Sequence, residues 1–157
     1  MKSNRIALAA LLLWAITIAV FAWFFVRGNT TDGADSRTAI VLNAGERELV
    51  LSEMRGLLSA VHEILEGANR GDMKRIAEAS RQVGTARAAD ENPSLMAKLP
   101  LAFKTLGMSV HRDMDEIAIA ADRGQAAPEL LKMASNVLAK CVACHASWQI
   151  KTGSPMR

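Results

Sequence analysis

The chain has 157 residues, of which 50% are hydrophobic, 19 are Lys or Arg and 16 are Asp or Glu. This length allows one domain of ordinary size plus an appendage, and it is enough to bury a core without disulfides. Three of the 19 basic residues flank an apolar run near the N-terminus, which leaves 16 basic against 16 acidic residues from Gly28 onward. Nucleic-acid binding is excluded, because that part is formally neutral and shows neither a one-sided basic patch nor an aromatic platform.

An uncharged apolar run from Ile6 to Val26 is the first predicted element. Its 21 residues are long enough to cross a bilayer as a helix. The alternative is a cleaved secretory signal peptide, which has an apolar run of about 7 to 15 residues and a small-x-small cleavage site. This run ends instead in Trp-Phe-Phe-Val-Arg, with no Ala-x-Ala nearby. Residues 1–27 are therefore predicted to be an uncleaved N-terminal membrane anchor.

The charges around the anchor predict its orientation. Lys2, Arg5 and the amino terminus outweigh Arg27, which places the N-terminus in the cytoplasm. The two cysteines of the chain also suit an oxidising compartment better than the cytosol. We therefore expect a single-pass protein of the bacterial inner membrane, with its domain on the periplasmic side.

Residues 28–36 are polar and contain glycine, and they are predicted to be a short linker. Fully extended, such a linker reaches at most about 30 Å, so the domain formed by residues 37–157 would stay close to the bilayer. From about Arg37 the apolar pattern is typical of helices, although Gly45 leaves the start of the first helix open on either side of it.

Four amphipathic helices are predicted in this domain. Gly67 to Gly71 ends the first, Asp72 caps a second that reaches about Ala89, and prolines open the third and fourth. The core stripe of the first helix is Val50, Met54, Leu57, Leu58, Val61 and Leu65. That of the third is Phe103, Leu106, Val110, Met114, Ile117 and Ala121, and that of the fourth is Leu130, Ala134, Val137, Leu138, Cys141, Cys144, His145 and Trp148.

Helices of about twenty residues joined by short loops favour an all-α fold, an antiparallel four-helix bundle preceded by the transmembrane helix. In this topology the start of the first helix lies at the same end of the bundle as the end of the fourth. The pattern therefore predicts that residues on the first helix face the C-terminal part of the fourth.

The only two cysteines of the chain occur in Cys141-Val-Ala-Cys144-His145. Two thiols three positions apart lie on one face of a helix, so both can add to the vinyl groups of one porphyrin. A neutral imidazole next to the second cysteine is the usual proximal ligand of haem iron. The motif therefore predicts one covalent haem c, held by Cys141 and Cys144 and bound at iron by His145.

A redox pair, a zinc site and a chance match fit the motif less well. A disulfide or thioredoxin-like redox pair would lie at the start of a helix in a βαβ unit, and no strand pattern precedes the motif. Zinc would need about four ligands, and only His62 and His111 could join from distant segments. A chance match is disfavoured because every cysteine of the chain lies within five residues.

The motif and its surroundings resemble the cytochrome c′-like, class II c-type cytochromes. Beyond the haem motif the resemblance rests on Phe103-Lys104, on Ala-Ala-Asp-x-Gly at residues 120–124, and on Trp148 three residues after His145. It covers about residues 40–151 and implies a four-helix bundle with His145 as the proximal ligand. Family members usually carry Arg or Lys after the aromatic residue, whereas this chain has Gln149 and then Lys151 two positions later.

The resemblance offers two fates for the distal side of the iron. In low-spin members a methionine of the first helix is the sixth ligand, and Met54 stands at that position. In gas-binding members the position stays open beside apolar side chains. A core methionine is the simpler interpretation of Met54 by itself, and His62 and His111 are predicted to lie at the edges of their stripes. Arg47, seven residues before Met54, either pairs with a haem propionate or is solvated at the helix end.

Three functions follow from these alternatives. One-electron transfer by a membrane-anchored cytochrome needs a His145/Met54 haem, whose thioether ligand raises the potential. An open site would instead bind nitric oxide or carbon monoxide, and a third possibility is a passive haem within a larger membrane complex. Catalysis is not expected, since no acid/base pair is visible near the haem segments. The expected partner is a membrane-bound quinol-oxidising complex or terminal oxidase, and the resemblance also implies a possible homodimer.

Overall fold

The structure is a computed structural model that describes residues 2–88 and 92–153. The chain is mostly helical, as predicted. Its helices are α1 Lys2–Arg27, α2 Ala44–Arg70, α3 Met73–Gln82, α4 Thr85–Ala88, α5 Pro93–Lys98, α6 Leu101–Asp122 and α7 Ala127–Ser147. The strands β1 Thr30–Asp32, β2 Thr38–Leu42 and β3 Trp148–Thr152 form one sheet. The expectation of an entirely helical domain over residues 37–157 is wrong at β2 and β3, and β1 lies in the predicted linker.

Helix α1 has the length and composition of a membrane span. Asn4–Arg27 covers 24 residues, and an 18-residue stretch of it has a mean hydropathy of 2.4 and is not buried within the protein. The end of α1 contacts α6, where the ammonium group of Lys104 lies 4.1 Å from the centre of the Phe25 ring. The last turn of α1 is therefore in contact with the domain that follows it.

Four helices share one hydrophobic core. Helix α2 contacts α3, α3 contacts α6, α6 contacts α7, and α7 contacts α2, which closes a ring. The largest fully buried side chains of this core are Ile64, Ile76, Met114, Ile117, Leu130 and Val137. The predicted stripes of α2, α6 and α7 all contribute to it, but only along part of their length.

Shortening a side chain in this core should destabilise the fold strongly. Ile64 is 0% exposed whereas the next residue, Leu65, is 39% exposed. We expect Ile64→Ala to lower the free energy of unfolding by about 2–5 kcal/mol, because it leaves a cavity. Leu65→Ala is the matched control and should cost much less. Urea unfolding of the full chain in detergent, followed by circular dichroism, measures both; equal losses would contradict this position of the core.

Helix α2 begins at Ala44, and residues 38–42 are a strand rather than the first turns of the predicted helix. Asn43 and Glu46 form a capping box: the Asn43 side chain accepts from the Glu46 amide, and the Glu46 carboxylate accepts from the Asn43 amide. Thr38, Ile40 and Val41 are β-branched, which favours a strand once partner strands are present.

The sheet includes part of the predicted linker. Strand β2 pairs with β1 antiparallel on one side and with β3 parallel on the other. Ile40 and Leu42 are buried against Leu95 and Leu99. Residues 28–36 are thus partly folded onto the domain. The sheet joins the end of α1 to the chain that follows α7.

The second predicted helix is interrupted at Gly84. A Cβ on Gly84 would overlap a carboxylate oxygen of Asp115, so only glycine allows this approach. That carboxylate accepts hydrogen bonds from the amide and the hydroxyl of Thr85, at 3.0 and 2.6 Å. Asp72 caps α3 as predicted, and the predicted end near Ala89 lies outside the described residues.

Candidate functional site

An apolar cavity of about 530 Å³ lies between the first half of α2, the first half of α6 and the last turns of α7. Its volume is typical of small-molecule sites, which span roughly 300–1,000 Å³. Its lining includes Val50, Leu51, Met54, Leu57, Leu58 and Val61 of α2, Phe103, Leu106, Val110 and His111 of α6, and Val137, Leu138, Cys141, Cys144 and His145 of α7. At the start of α2 and α6 and the end of α7, the apolar side chains of these helices thus no longer pack against one another in the core and instead enclose a cavity.

All four predicted site residues line this cavity. Cys141, Cys144 and His145 come from the last two turns of α7, and Met54 comes from α2. Both cysteines and Met54 are half-buried, and His145 is exposed. Since α2 begins at Ala44, Met54 lies about 15 Å along its helix rather than the 24 Å or so expected from a start near Arg37. The antiparallel arrangement explains why the beginning of α2 meets the end of α7.

The two thiols are unlike those of a redox pair. Burial raises the pKa of the Cys141 thiol. The pKa of the Cys144 thiol is also raised, mainly by burial and to a smaller extent by the neighbouring Cys141. Redox-active thiols instead have lowered pKa values, often at helix N-termini. Here the motif is at the C-terminal end of α7, where the helix dipole disfavours a thiolate. Both groups are therefore protonated thiols at neutral pH.

Four polar residues of the cavity lining were not predicted there: Glu53, Arg55, His111 and Lys140. Arg55 and Lys140 pair with Glu48 and Asp113. His111 is 7% exposed, and its Nδ1 lies 2.8 Å from the carbonyl oxygen of Val83. Glu53 lies beside it in the lining and forms a 3.5 Å ion pair with Arg87. The prediction of a boundary position for His111 is wrong, because the turn after α3 folds over it. Both contacts hold the α3–α4 segment against α2 and α6.

Glu53 leaves one oxygen without a partner. Its Oε1 is buried and accepts no hydrogen bond from the described residues. The sequence gives only a weak indication that Glu53 lines the cavity, namely that it is adjacent to Met54 on α2. Its inward orientation depends on Arg87, which approaches from another element.

The zinc alternative has little support from these positions. His62 is exposed on α2 and does not line the cavity. Within residues 2–88 and 92–153, no three His, Cys, Asp or Glu side chains are grouped so that they could hold a metal ion. Among these described residues, the two cysteines and His111 therefore do not form part of a set of side chains that could bind zinc.

Several apolar side chains of the cavity are open to solvent. Leu58 is 67% exposed and Leu138 is 39% exposed, and both line the cavity. Exposed apolar surface that rims a cavity is typical of a ligand-binding site. The walls therefore favour a large apolar ligand.

Strand β3 continues the wall beyond the motif. Trp148, the first residue after α7, packs edge-to-face on Phe103 with ring centres 5.8 Å apart. Trp148 also pairs with Thr38 of β2 in the sheet. The aromatic pair and the sheet together fix the direction in which the chain leaves His145.

Comparison with known proteins finds no relative: no family model, no curated protein and no solved structure matches this chain. The chemistry of the site is therefore deduced from its own residues. Two thiols one helical turn apart can form two covalent bonds to one ligand, and an imidazole and a thioether can donate to a metal carried by that ligand.

Proposed function

We propose that the chain is a membrane-anchored c-type cytochrome that carries one covalent haem and transfers single electrons on the periplasmic side of the bacterial inner membrane. The observation that carries the proposal is the Cys-x-x-Cys-His motif in the wall of an apolar cavity whose α2 wall holds Met54. In this proposal the ring of α2, α3, α6 and α7 is an antiparallel four-helix bundle of the cytochrome c′ type, and α1 is an uncleaved anchor.

Each residue then has a chemical role. Cys141 and Cys144 each add across a vinyl group: the sulfur bonds to one vinyl carbon, the thiol hydrogen moves to the other, and the double bond is consumed. His145 is the proximal ligand and Met54 the sixth ligand. When bound, haem supplies reversible one-electron chemistry at iron, and a thioether ligand raises its potential.

The residues fit such a group by character and by placement. The thiols are half-buried beside apolar walls, so a ligand attached to them would cover the exposed parts of Leu58 and Leu138. His145 and Met54 come from different helices, which suits donation from two sides. The ligand would lie where the apolar stripes of α2, α6 and α7 diverge from the core.

The alternative is binding of nitric oxide or carbon monoxide at an open distal position. The observation in its favour is the apolar lining around Met54, formed by Val50, Leu51, Leu57 and Leu58. If Met54 packs in the wall without donating, these side chains would surround a small apolar ligand. The ligation state of the iron distinguishes the two functions.

We expect the protein, expressed in a host that attaches haem to exported chains, to carry one covalent haem. Intact mass after acid extraction should equal the polypeptide plus one haem. Cys141→Ala or Cys144→Ala should leave haem that acid extraction partly removes, and the double variant should retain none. A native mass equal to the bare polypeptide would refute the proposal.

A further inference from the structure

A smaller cavity of about 170 Å³ opens beside the main one. The two cavities share Leu51, Met54, Phe103, Cys144 and His145 in their linings. The smaller one differs because Arg37, Arg47 and Gln149 also contribute to its wall. The main cavity is also lined by Arg55 and Lys140, but these pair with Glu48 and Asp113. A ligand that extends from the main cavity into the smaller one therefore gains contact with two further guanidinium groups, those of Arg37 and Arg47.

Arg37 is held in place by two neighbours. Its Nε and Nη2 donate to Oδ2 of Asp35 at 2.9 and 2.8 Å, and the other carboxylate oxygen, Oδ1, accepts from the Gln149 side-chain amide at 3.0 Å. The Arg37 guanidinium holds the pKa of Asp35 below its ordinary value, so the carboxylate stays ionised at neutral pH. Arg37 Nη1 also donates to the backbone carbonyl of His145 at 3.4 Å.

Arg47 enters the same cavity from the first turns of α2. It is half-buried, and within the described part of the chain it forms no salt bridge. Counting Asp35 with the two arginines leaves a net positive charge at this cavity. Arginine is well suited to carboxylates, because its planar fork donates two parallel hydrogen bonds.

We propose that Arg37 and Arg47 bind the carboxylate groups of the haem, with Asp35 and Gln149 as positioning residues that fix Arg37. The inference rests on the proposed function, because it takes haem as the ligand of the main cavity. A porphyrin with an apolar body and two carboxylates at its periphery matches an apolar cavity that continues into a basic one. Strand β3 and the segment just before β2 thus contribute to the site as well as the helices, since Gln149 lies in β3 and Arg37 precedes β2.

The test compares two probes on the full chain isolated before haem attachment. Iron mesoporphyrin IX has ethyl groups that cannot form thioethers, and its dimethyl ester lacks both negative charges. We expect the native chain to bind the diacid roughly tenfold more tightly than the diester, as charge-assisted hydrogen bonds at a half-exposed site would give. Arg37→Gln with Arg47→Gln should abolish this preference, and Asp35→Asn should weaken it.

The matched control for each single arginine variant is Arg123→Gln, which removes one positive charge from an exposed position beyond the other end of α6, about 30 Å from Phe103. It should keep the native preference for the diacid. Equal binding of diacid and diester by the native chain would overturn the inference while leaving the covalent haem intact. Failure of the proposed function would be seen separately, as a native protein without haem in its intact mass.

A second measurement uses the haem-loaded protein and does not depend on folding of the haem-free chain. Positive charge near the haem stabilises its reduced state, so the double arginine variant should have a lower midpoint potential than the native protein. Arg123→Gln should leave the potential unchanged. An unchanged potential in the double variant would also overturn the inference.

Discussion

Replacing Met54 with alanine should turn a low-spin haem protein that does not respond to carbon monoxide into a high-spin one that binds it. Met54 lines the cavity that Cys141, Cys144 and His145 share, and it is the methionine of α2 in that wall. Removing its thioether leaves one axial position open, since alanine cannot donate. The midpoint potential should also fall, because thioether ligation raises it.

Visible spectra of the oxidised and reduced protein, with and without carbon monoxide, measure this change. The native protein should show a methionine-to-iron charge-transfer band, and Met54→Ala should lose it. Met108→Ala is the matched control, because Met108 is a half-buried methionine of α6 that lines neighbouring cavities but not the main one. A native protein that is already high-spin would favour the gas-binding function, and an unchanged spectrum in Met54→Ala would remove Met54 from the site.

The helices were predictable because each carries its own local signals. The apolar repeat of α6, the Asp72 cap and the prolines that open α6 and α7 are all visible within one or two turns of sequence. The same periodicity identified the inward face of α6, but on α2 it included Leu58 and Leu65, which are exposed, and missed Ile64, which is buried. The periodicity did not show where an inward face stops packing in the core and begins to line a cavity. Val110 is buried in the core and Leu106 is half-buried in the cavity wall, yet both are apolar residues of the same predicted stripe.

The sheet was missed because none of its strands is stable by itself. Strand β1 has three residues, and β3 follows the long helix α7 without a turn signal. Thr38–Leu42 becomes a strand through pairing with segments that are distant in the sequence. Propensity is a weak guide to such short, non-local pairing. As a consequence the sequence pattern assigned Arg37 and Asp35 to a helix end and a linker, not to a cavity wall.

His111 and Gly84 illustrate the same limit at the site. The predicted second helix continued through Gly84 because a single glycine costs only about 1 kcal/mol in a helix. The actual break depends on Asp115, which approaches from α6 and takes the space that a side chain would need. The turn after α3, which contains this break, brings the Val83 carbonyl to His111 and buries a histidine that the helical periodicity placed at a boundary.

The junction between α1 and the domain bears on which partners the proposed haem would reach. Gly28 has a φ of 65°, and a Cβ there would lie 2.5 Å from the Lys98 carbonyl oxygen, so the chain turns tightly against the end of α5 and the connection to α6. The Asn29 amide donates to that carbonyl at 2.7 Å, and its side chain donates to the Val41 carbonyl at 2.8 Å. The linker was expected to be a flexible tether, but these contacts fasten it to the domain.

The sheet also keeps the haem motif near the end of α1. Thr38 pairs with Asp32 of β1 and with Trp148 of β3, three residues after His145. Asp32 is five residues beyond Arg27, a span of at most about 18 Å. If α1 is a membrane anchor, the motif is therefore held close to the bilayer surface in a defined orientation. This geometry favours a redox partner that is itself in the membrane, such as a quinol-oxidising complex or a terminal oxidase.

A flexible Gly-Ser insert between Arg27 and Gly28 should therefore slow electron exchange with isolated membranes and leave the haem spectrum unchanged. The insert separates the anchor from the Gly28 and Asn29 contacts without breaking the sheet, so orientation is lost and effective concentration near integral partners falls. The same insert between Gly124 and Gln125, in the α6–α7 loop, is the matched control and should have no effect on the rate. A released domain that begins at Gly28 should be slower still at matched concentration. Equal rates for the native, inserted and released forms would show that the partner is a freely diffusing protein.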